Sequence, residues 1–301
     1  MGKVVVLGIF VADAAFRADR MPRMGETVLG NGFLLGPGGK GSNQAVAAAR
    51  IGAETHFLTR LGQDAFADMA RGVWEKAGVI AHVRTDPDSH TGAAFIYVDD
   101  ATGDNAIIVS PGAAERISPA DVEAHAALIA GADVFMAQLE HPVAATVAAL
   151  RIARTAGVAT ILNPAPAADL PPEVLALCDY LTPNETEAEA LTGLAVTSVA
   201  GAERAAARLC EMGVGTPIIT LGERGAYLHG HGLVPSFKPG SVVETTGAGD
   251  AFNGGFAAAL SRGAEPLEAV RIGCATAGLS VTRRGAAASM PALAEVEKLI
   301  G

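Results

Sequence analysis

Basic residues, aromatics and cysteines are all scarce in this sequence of 301 residues. Lys and Arg total 22 against 32 Asp and Glu, giving a formal net charge of −10 with no basic run. A protein that grips nucleic acid presents a basic face, so no nucleic-acid partner is expected. A phosphate ligand stays open, because backbone N–H groups alone can build an anion site. The three cysteines, Cys178, Cys210 and Cys274, are odd in number and widely spaced, with no CxxC. They read as buried free thiols in a reducing compartment, hence a cytoplasmic protein. No uncharged apolar run reaches the roughly 20 residues that span a bilayer. The start, MGKVVVLGIF, lacks the length and cleavage pattern of a signal peptide, so no membrane association is expected. With aromatics at only 5%, the core falls to small aliphatics, and half the residues are hydrophobic. That composition suits helices packed closely on a parallel sheet.

The order of patterns agrees. Lys3 to Gly8 (KVVVLG) is a short β-branched run ended by Gly, a buried first strand. Ser42 to Ala53 reads as a helix with Ser42 as N-cap and Gly52 as its stop. THFLTRLG is a strand, and the DAFADMARGVWEKAG stretch a helix. From about 119 the chain alternates: helix 119–130, strand ADVFMAQL, helix 142–156, strand ATILNP, a helix start at PPEVLALC, strand YLTP and helix ETEAEALTG. Helix 199–212, strands TPIITLG, GAYLHG and HGLVPSF, and helices 248–262, 266–282 and 291–300 complete it. Such alternation predicts an α/β fold, a three-layer, mostly parallel sheet with helices on both faces. No linker and no repeat interrupts it, so residues 1–301 are expected to form a single domain. Segments 14–37 and 91–110 carry β-rich runs and turn signals outside the alternation, and read as a small separate β lid.

One stretch raises a chemical question: TTGAGDAFNGGF, Thr245 to Phe256, places four glycines and one carboxylate between a strand read at Val242 and Val243 and a helix start. Glycine costs a helix about 1 kcal/mol relative to alanine. Gly247 and Gly249 would let backbone approach a ligand, and free N–H groups at a helix start favour an anion. Asp250 beside such a cradle is repulsive unless it has a task. Accepting the proton of a hydroxyl that attacks phosphorus is one; capping the helix is the plainer alternative.

This stretch resembles the C-terminal signature of the ribokinase-like (PfkB) family of carbohydrate kinases. Upstream stands a second family signature, GPGGKGSNQAVAAARIGA (Gly36 to Ala53). LNPAPA (162–167), TPNETEAEALTG (182–193) and ITLGERGA (219–226) lie between them, and SVTRRGAAASMP (280–291) follows. The six blocks keep the family's order and cover essentially the whole chain.

The resemblance implies an ATP-dependent sugar kinase that moves the γ-phosphoryl of MgATP to a sugar hydroxymethyl, with D-ribose as leading acceptor and D-ribose 5-phosphate as product. Other sugars of the family (fructose, 2-keto-3-deoxygluconate) and nucleosides are the alternatives, and a non-catalytic binding relative a remote one. Asp250 would be the base, with Gly247, Ala248 and Gly249 as the anion hole. Asp13, Gly39, Lys40, Gly41, Asn43 and Glu140 would hold the sugar. Asn184 and Glu187 would lie near the phosphates and Mg²⁺. Thr220, Gly222, Gly225 and Cys274 would line the nucleotide with Gly249. A potassium ion is implied beside Glu244, Thr246, Ser280, Arg283, Gly285 and Ser289, mostly through carbonyls. The lids of two subunits pair in the family, which implies a homodimer. Two positions depart from the pattern. Val11 stands where ribose-phosphorylating members carry Asn, and Glu244 where the family carries Asp.

His229 and His231 read as a hairpin tip, and Asp99, Asp100 and Asp104 as a solvated turn without the EF-hand pattern. The first strand lacks GxGxxG, which argues against a dehydrogenase.

Overall fold

The computed structural model describes residues 2–168 and 170–301. Its β-branched runs form nine strands of one sheet. Their order is β13 (Gly232–Pro235), β12 (Gly225–Leu228), β11 (Thr216–Thr220), β10 (Tyr180–Leu181), β9 (Ala159–Leu162), β8 (Val134–Ala137), β1 (Lys3–Leu7), β4 (Glu54–Leu61) and β5 (Ile80–Thr85). Neighbours from β11 through β5 are all parallel, while β12 and β13 continue the sheet antiparallel.

Successive side chains of a strand point to opposite faces, and this sheet is buried on both. Val4 and Val6 of β1 pack under α1 (Lys40–Arg50), α2 (Ala65–Ala77), α9 (Ala248–Ser261), α10 (Pro266–Ser280) and α11 (Leu293–Ile300). Val5 and Leu7 pack on the other side with α3 (Pro119–Glu123), α4 (Ala126–Ala130), α5 (Val143–Thr155) and α6 (Pro172–Leu175). Further along that side, Ile219 and Leu221 meet α7 (Glu185–Thr192) and α8 (Val199–Glu211). Trp74 anchors the first layer: its ring meets Phe10 and Phe57 edge-on, and its indole N–H donates to Ser42 Oγ at 2.9 Å.

A second sheet has four strands, ordered β3 (Gly32–Gly38), β2 (Val11–Ala18), β6 (Ala93–Asp99) and β7 (Asn105–Ser110). These are the expected lid segments, with β6 and β7 as the expected hairpin around Asp99 to Asp104. No helix among the described residues is long and apolar enough to cross a membrane.

Local departures have identifiable causes. β2 begins at Val11, three residues before the expected segment, which places Asp13 inside the lid sheet. Ser42 is no cap, because α1 starts at Lys40 behind Gly39 and the Ser42 hydroxyl serves Trp74. Gly39 has φ +88°, and a Cβ there would stand 2.5 Å from the Ile9 carbonyl oxygen, so only glycine fits. The expected helix 119–130 is two short helices, α3 and α4. The expected strand before Thr245 is absent: Val242 and Val243 are exposed, and the Val243 N–H donates to the Val281 carbonyl instead. Strand β5, on the sheet's edge, is an addition to the expected set.

Candidate active site

Ligand sites in open parallel sheets form past the carboxyl ends of the strands. Gln138 and Glu140 follow β8, Asn163 follows β9, Thr182 and Asn184 follow β10, and Thr220 ends β11. Across from them stand the N-terminal turns of α1 and α9, which contact each other along their length. Gly254 makes that contact close: a Cβ there would lie 2.7 Å from the Gln44 carbonyl oxygen. Gly255 does the same toward α10, with Thr276 Oγ1 at 2.5 Å. The four glycines therefore divide in two, Gly247 and Gly249 shaping a turn, Gly254 and Gly255 admitting neighbouring helices.

Gly247 has φ +77° and precedes the first residue of α9. Among the described residues, the backbone N–H groups of Gly247, Gly249 and Asp250 have no partner, whereas the Ala248 N–H donates to the Thr245 carbonyl at 3.1 Å. Of the three expected donors, those of Gly247 and Gly249 are open and that of Ala248 is engaged in closing the turn. Nothing lies within 4 Å of a Cβ placed on Gly249, so the surface there is open.

Asp250 is buried at the first turn of α9. Burial raises its pKa, while the Lys40 charge and hydrogen bonds from Asn43 and Gln44 pull it down. Asn43 Nδ2 donates to Oδ2 at 2.9 Å and Gln44 Nε2 to Oδ1 at 3.0 Å. The Asn43 Oδ1 atom is buried without a partner. An orphaned acceptor costs roughly 1–3 kcal/mol, which a ligand hydroxyl would relieve.

Glu140 Oε2 accepts from the Lys40 backbone N–H at 2.7 Å. Burial pushes this carboxyl up to about 7, opposed by the Lys40 charge and reinforced by Asp250 and Asp13. Burial also pushes Asp13 up to about 6. Gly41 is required by contact with Gly8, whose Cα lies 2.7 Å from a Cβ placed on Gly41. Asp13, Gly39, Lys40, Gly41, Asn43, Glu140 and Asp250 are thereby brought to one place. Val11, two residues before Asp13, is buried in the core and offers no hydrogen-bonding atom.

Asn184 and Glu187 form a capping box on α7. Asn184 Oδ1 accepts from the Glu187 N–H at 2.8 Å, and Glu187 Oε2 accepts from the Asn184 N–H at 2.9 Å. Glu187 is buried, and its pKa is raised by that burial, with Lys40 and Asp250 close enough to affect it. Asn184 bridges to Thr220 across the β10–β11 gap. Gly222 has φ +55° and Gly225 φ +109° in the connection to β12, and a Cβ on Gly225 would meet the Ser236 nitrogen at 2.6 Å. Cys274 is buried in the α9–α10 core, and burial pushes its thiol up to about 12.

The segment before the glycine turn lies against the loop after α10. The Glu244 N–H donates to the Val281 carbonyl, and Glu244 Oε2 accepts from the Gly285 N–H at 3.0 Å. Ser280 Oγ and Ser289 Oγ donate to local carbonyls at 2.9 and 2.8 Å, and Arg283 pairs with Glu295. Among the described residues, no group of three or more His, Cys, Asp or Glu side chains is arranged to hold a metal.

Gln44, Gln138, Asn163 and Asn253 are polar, buried and joined to the site, yet none was identified as a site residue from sequence. Gln44, Asn163 and Asn253 lie inside the quoted signature blocks, which is the available signal.

The pfkB family carbohydrate kinase profile matches residues 1–293. The ribokinase of Haemophilus influenzae is 40% identical over 291 residues, covering 96% of this chain and 95% of that protein. Among solved structures, Arabidopsis thaliana ribokinase complexed with ribose and ATP superposes with a TM-score of 0.93 at 32% identity, covering 100% of this chain and 99% of that one. A putative ribokinase II from E. coli, in complex with ATP and Mg²⁺, has a TM-score of 0.81 at 25% identity, over 100% and 99% of the two chains.

Proposed function

The chain belongs to the pfkB family of carbohydrate kinases, and from that membership and this site we propose that it is a cytoplasmic ATP-dependent kinase whose acceptor is D-ribose. The observation that carries the reading is Asp250: a buried carboxylate, held on both oxygens, one residue past a turn with open N–H donors.

The chemistry follows from that placement. A sugar bound by Asp13, Glu140, Lys40 and the free Asn43 Oδ1 presents its hydroxymethyl to Asp250. Asp250 takes the hydroxyl proton as the oxygen forms its bond to the γ-phosphorus. The bond from that phosphorus to the β–γ bridging oxygen breaks, and ADP leaves. Charge on the transferring group meets the N–H groups of Gly247 and Gly249 and the positive end of α9. A protonated Asp250 cannot act, so Lys40, Asn43 and Gln44 matter because they oppose the effect of burial.

Thr220, Gly222, Gly225 and Cys274 belong to the nucleotide side in this reading. Glu187 spends Oε2 on its cap and leaves Oε1 for a phosphate-bound Mg²⁺ or its water, consistent with an ion held mainly through phosphate. Magnesium would neutralise phosphate charge in the transition state. In this reading Glu244, Thr246, Ser280, Arg283, Gly285 and Ser289 would hold a potassium ion, and the hydrogen bonds of Glu244 to Gly285 and Val281 join the two segments that carry them. We take 1–301 as one kinase domain whose lid sheet pairs with that of a second copy.

Val11 favours a second reading, an acceptor with fewer hydroxyls at that point, because Val cannot hydrogen-bond. An ADP-release assay with MgATP and KCl against ribose, deoxyribose, fructose, 2-keto-3-deoxygluconate and nucleosides separates the two. Ribose should give the highest kcat/KM. Preference for deoxyribose or a nucleoside would move the substrate and keep the mechanism.

A further inference from the structure

We propose that Gln44 is a positioning residue for Asp250, the hub of a buried amide relay that ties the base to three strand ends and to the anion turn. The proposal rests on Asp250 being the base.

Gln44 follows Asn43 on α1 and is fully buried. Consecutive helical residues point about 100° apart, and the two neighbours part company accordingly. Asn43 keeps an unpartnered Oδ1 for a ligand. Gln44 keeps nothing. Its two amide hydrogens go to Asp250 Oδ1 at 3.0 Å and Asn163 Oδ1 at 3.1 Å, and its Oε1 accepts from Gln138 Nε2 at 2.6 Å. Rotating the amide by 180° would set its oxygen against two acceptors, so the orientation is fixed.

The relay continues past Asn163. Asn163 Nδ2 donates to the Thr182 carbonyl at 3.0 Å, and Thr182 Oγ1 donates to Asn253 Oδ1 at 2.7 Å. Asn253 Nδ2 then donates to the Gly249 carbonyl at 2.8 Å. The path therefore leaves the Asp250 side chain, crosses the ends of β9 and β10, and returns to the residue before Asp250, with Gln138 at the end of β8 as a branch on Gln44. A catalytic group is held to geometry by such supporting bonds. The charged groups around Asp250 are Lys40, Glu140 and Glu187, with Asp13 beyond Glu140. None of them touches Oδ1; Gln44 does.

The test is Gln44→Met, which keeps length and removes the donor. Loss of the bond frees the carboxylate to rotate and lets burial act on it with less opposition. Turnover (kcat) should fall about 10- to 100-fold while the KM for D-ribose stays within about threefold. The acid limb of kcat against pH should move up by about one unit. A merely structural role would lower the yield of folded enzyme and leave that limb in place. Parental kcat with an unmoved limb overturns the proposal. If Gln44→Met does not fold, Gln138→Met removes the bond that fixes Gln44 and touches no bond to Asp250. A smaller shift of the same limb in Gln138→Met supports the relay, and a parental profile overturns it. Asp250→Asn is measured in parallel. An Asp250→Asn enzyme with parental kcat defeats the base reading itself. A dead Asp250→Asn beside a Gln44→Met with parental kcat and limb defeats only the relay.

Discussion

Glu140 shows at the level of one residue what the site costs the fold. Its carboxyl is pushed up from 4.5 to about 7, chiefly by burial. A carboxyl whose folded pKa exceeds its unfolded value binds its proton more tightly in the native state. Stability is therefore lost as pH rises from the unfolded pKa through the folded one, here from about 4.5 to about 7. Replacing the carboxyl by an amide that still accepts from the Lys40 N–H should raise stability at pH 8 by about 2–3 kcal/mol. We expect Glu140→Gln to raise the Tm at pH 8, to lose that advantage by pH 4, and to raise the KM for the sugar. Equal gains in Tm at both pH values would defeat this account. At this scale the sequence was most informative where residues cluster in signature blocks, as with Asp250, Asn43 and Asn184. It was silent on Gln138, which lies in none of those blocks, and on how positions 44, 138, 163, 182 and 253 join, because they share no local spacing.

Secondary-structure elements depend on their ends. Asp64 caps α2 by accepting from the Ala67 N–H at 2.9 Å, and its other oxygen accepts from the Thr91 N–H at 2.7 Å, joining the helix to the start of the β6 segment. Asp64→Ala leaves both donors without their partner and should cost about 2 kcal/mol, seen as a lower midpoint in urea unfolding. Asp64→Asn, which keeps an acceptor, should recover part of the loss, and an unchanged midpoint for the alanine variant would contradict the cap. Most helices were readable from periodicity and stops such as Gly52 and Gly78. Ser42 misled because a tertiary partner, Trp74, took a hydroxyl that local rules assign to a cap. The run at Val242 and Val243 misled because β propensity has no effect without a strand beside it.

The whole molecule carries an apolar surface that the chain leaves uncovered. Register places Phe16, Phe33, Leu35, Phe95 and Ile108 on one face of the lid sheet. Phe33 and Ile108 are 61% and 66% exposed, and Phe16 stacks obliquely on both Phe33 and Phe95. Exposed apolar faces of this kind mark interaction surfaces, and the edges β3 and β7 are open strands. Light scattering at micromolar concentration should give twice the mass of one chain, and Phe33→Glu should give one. A parent protein of single-chain mass would contradict the paired lid. The layers and the lid were legible from the alternation of patterns. The parallel pairing of β2 with β6 was not, since it joins segments about 80 residues apart and no turn between them encodes it.

The central claim is that Asp250 is the base of a phosphoryl transfer to a sugar. The direct measurement is ADP release from MgATP with D-ribose by the parent enzyme and by Asp250→Asn, with ribose binding followed by calorimetry. The parent should turn over, and the variant should still bind ribose while losing about 10²- to 10⁴-fold in kcat. An Asp250→Asn enzyme that binds ribose and releases ADP within about tenfold of the parental rate would contradict the claim.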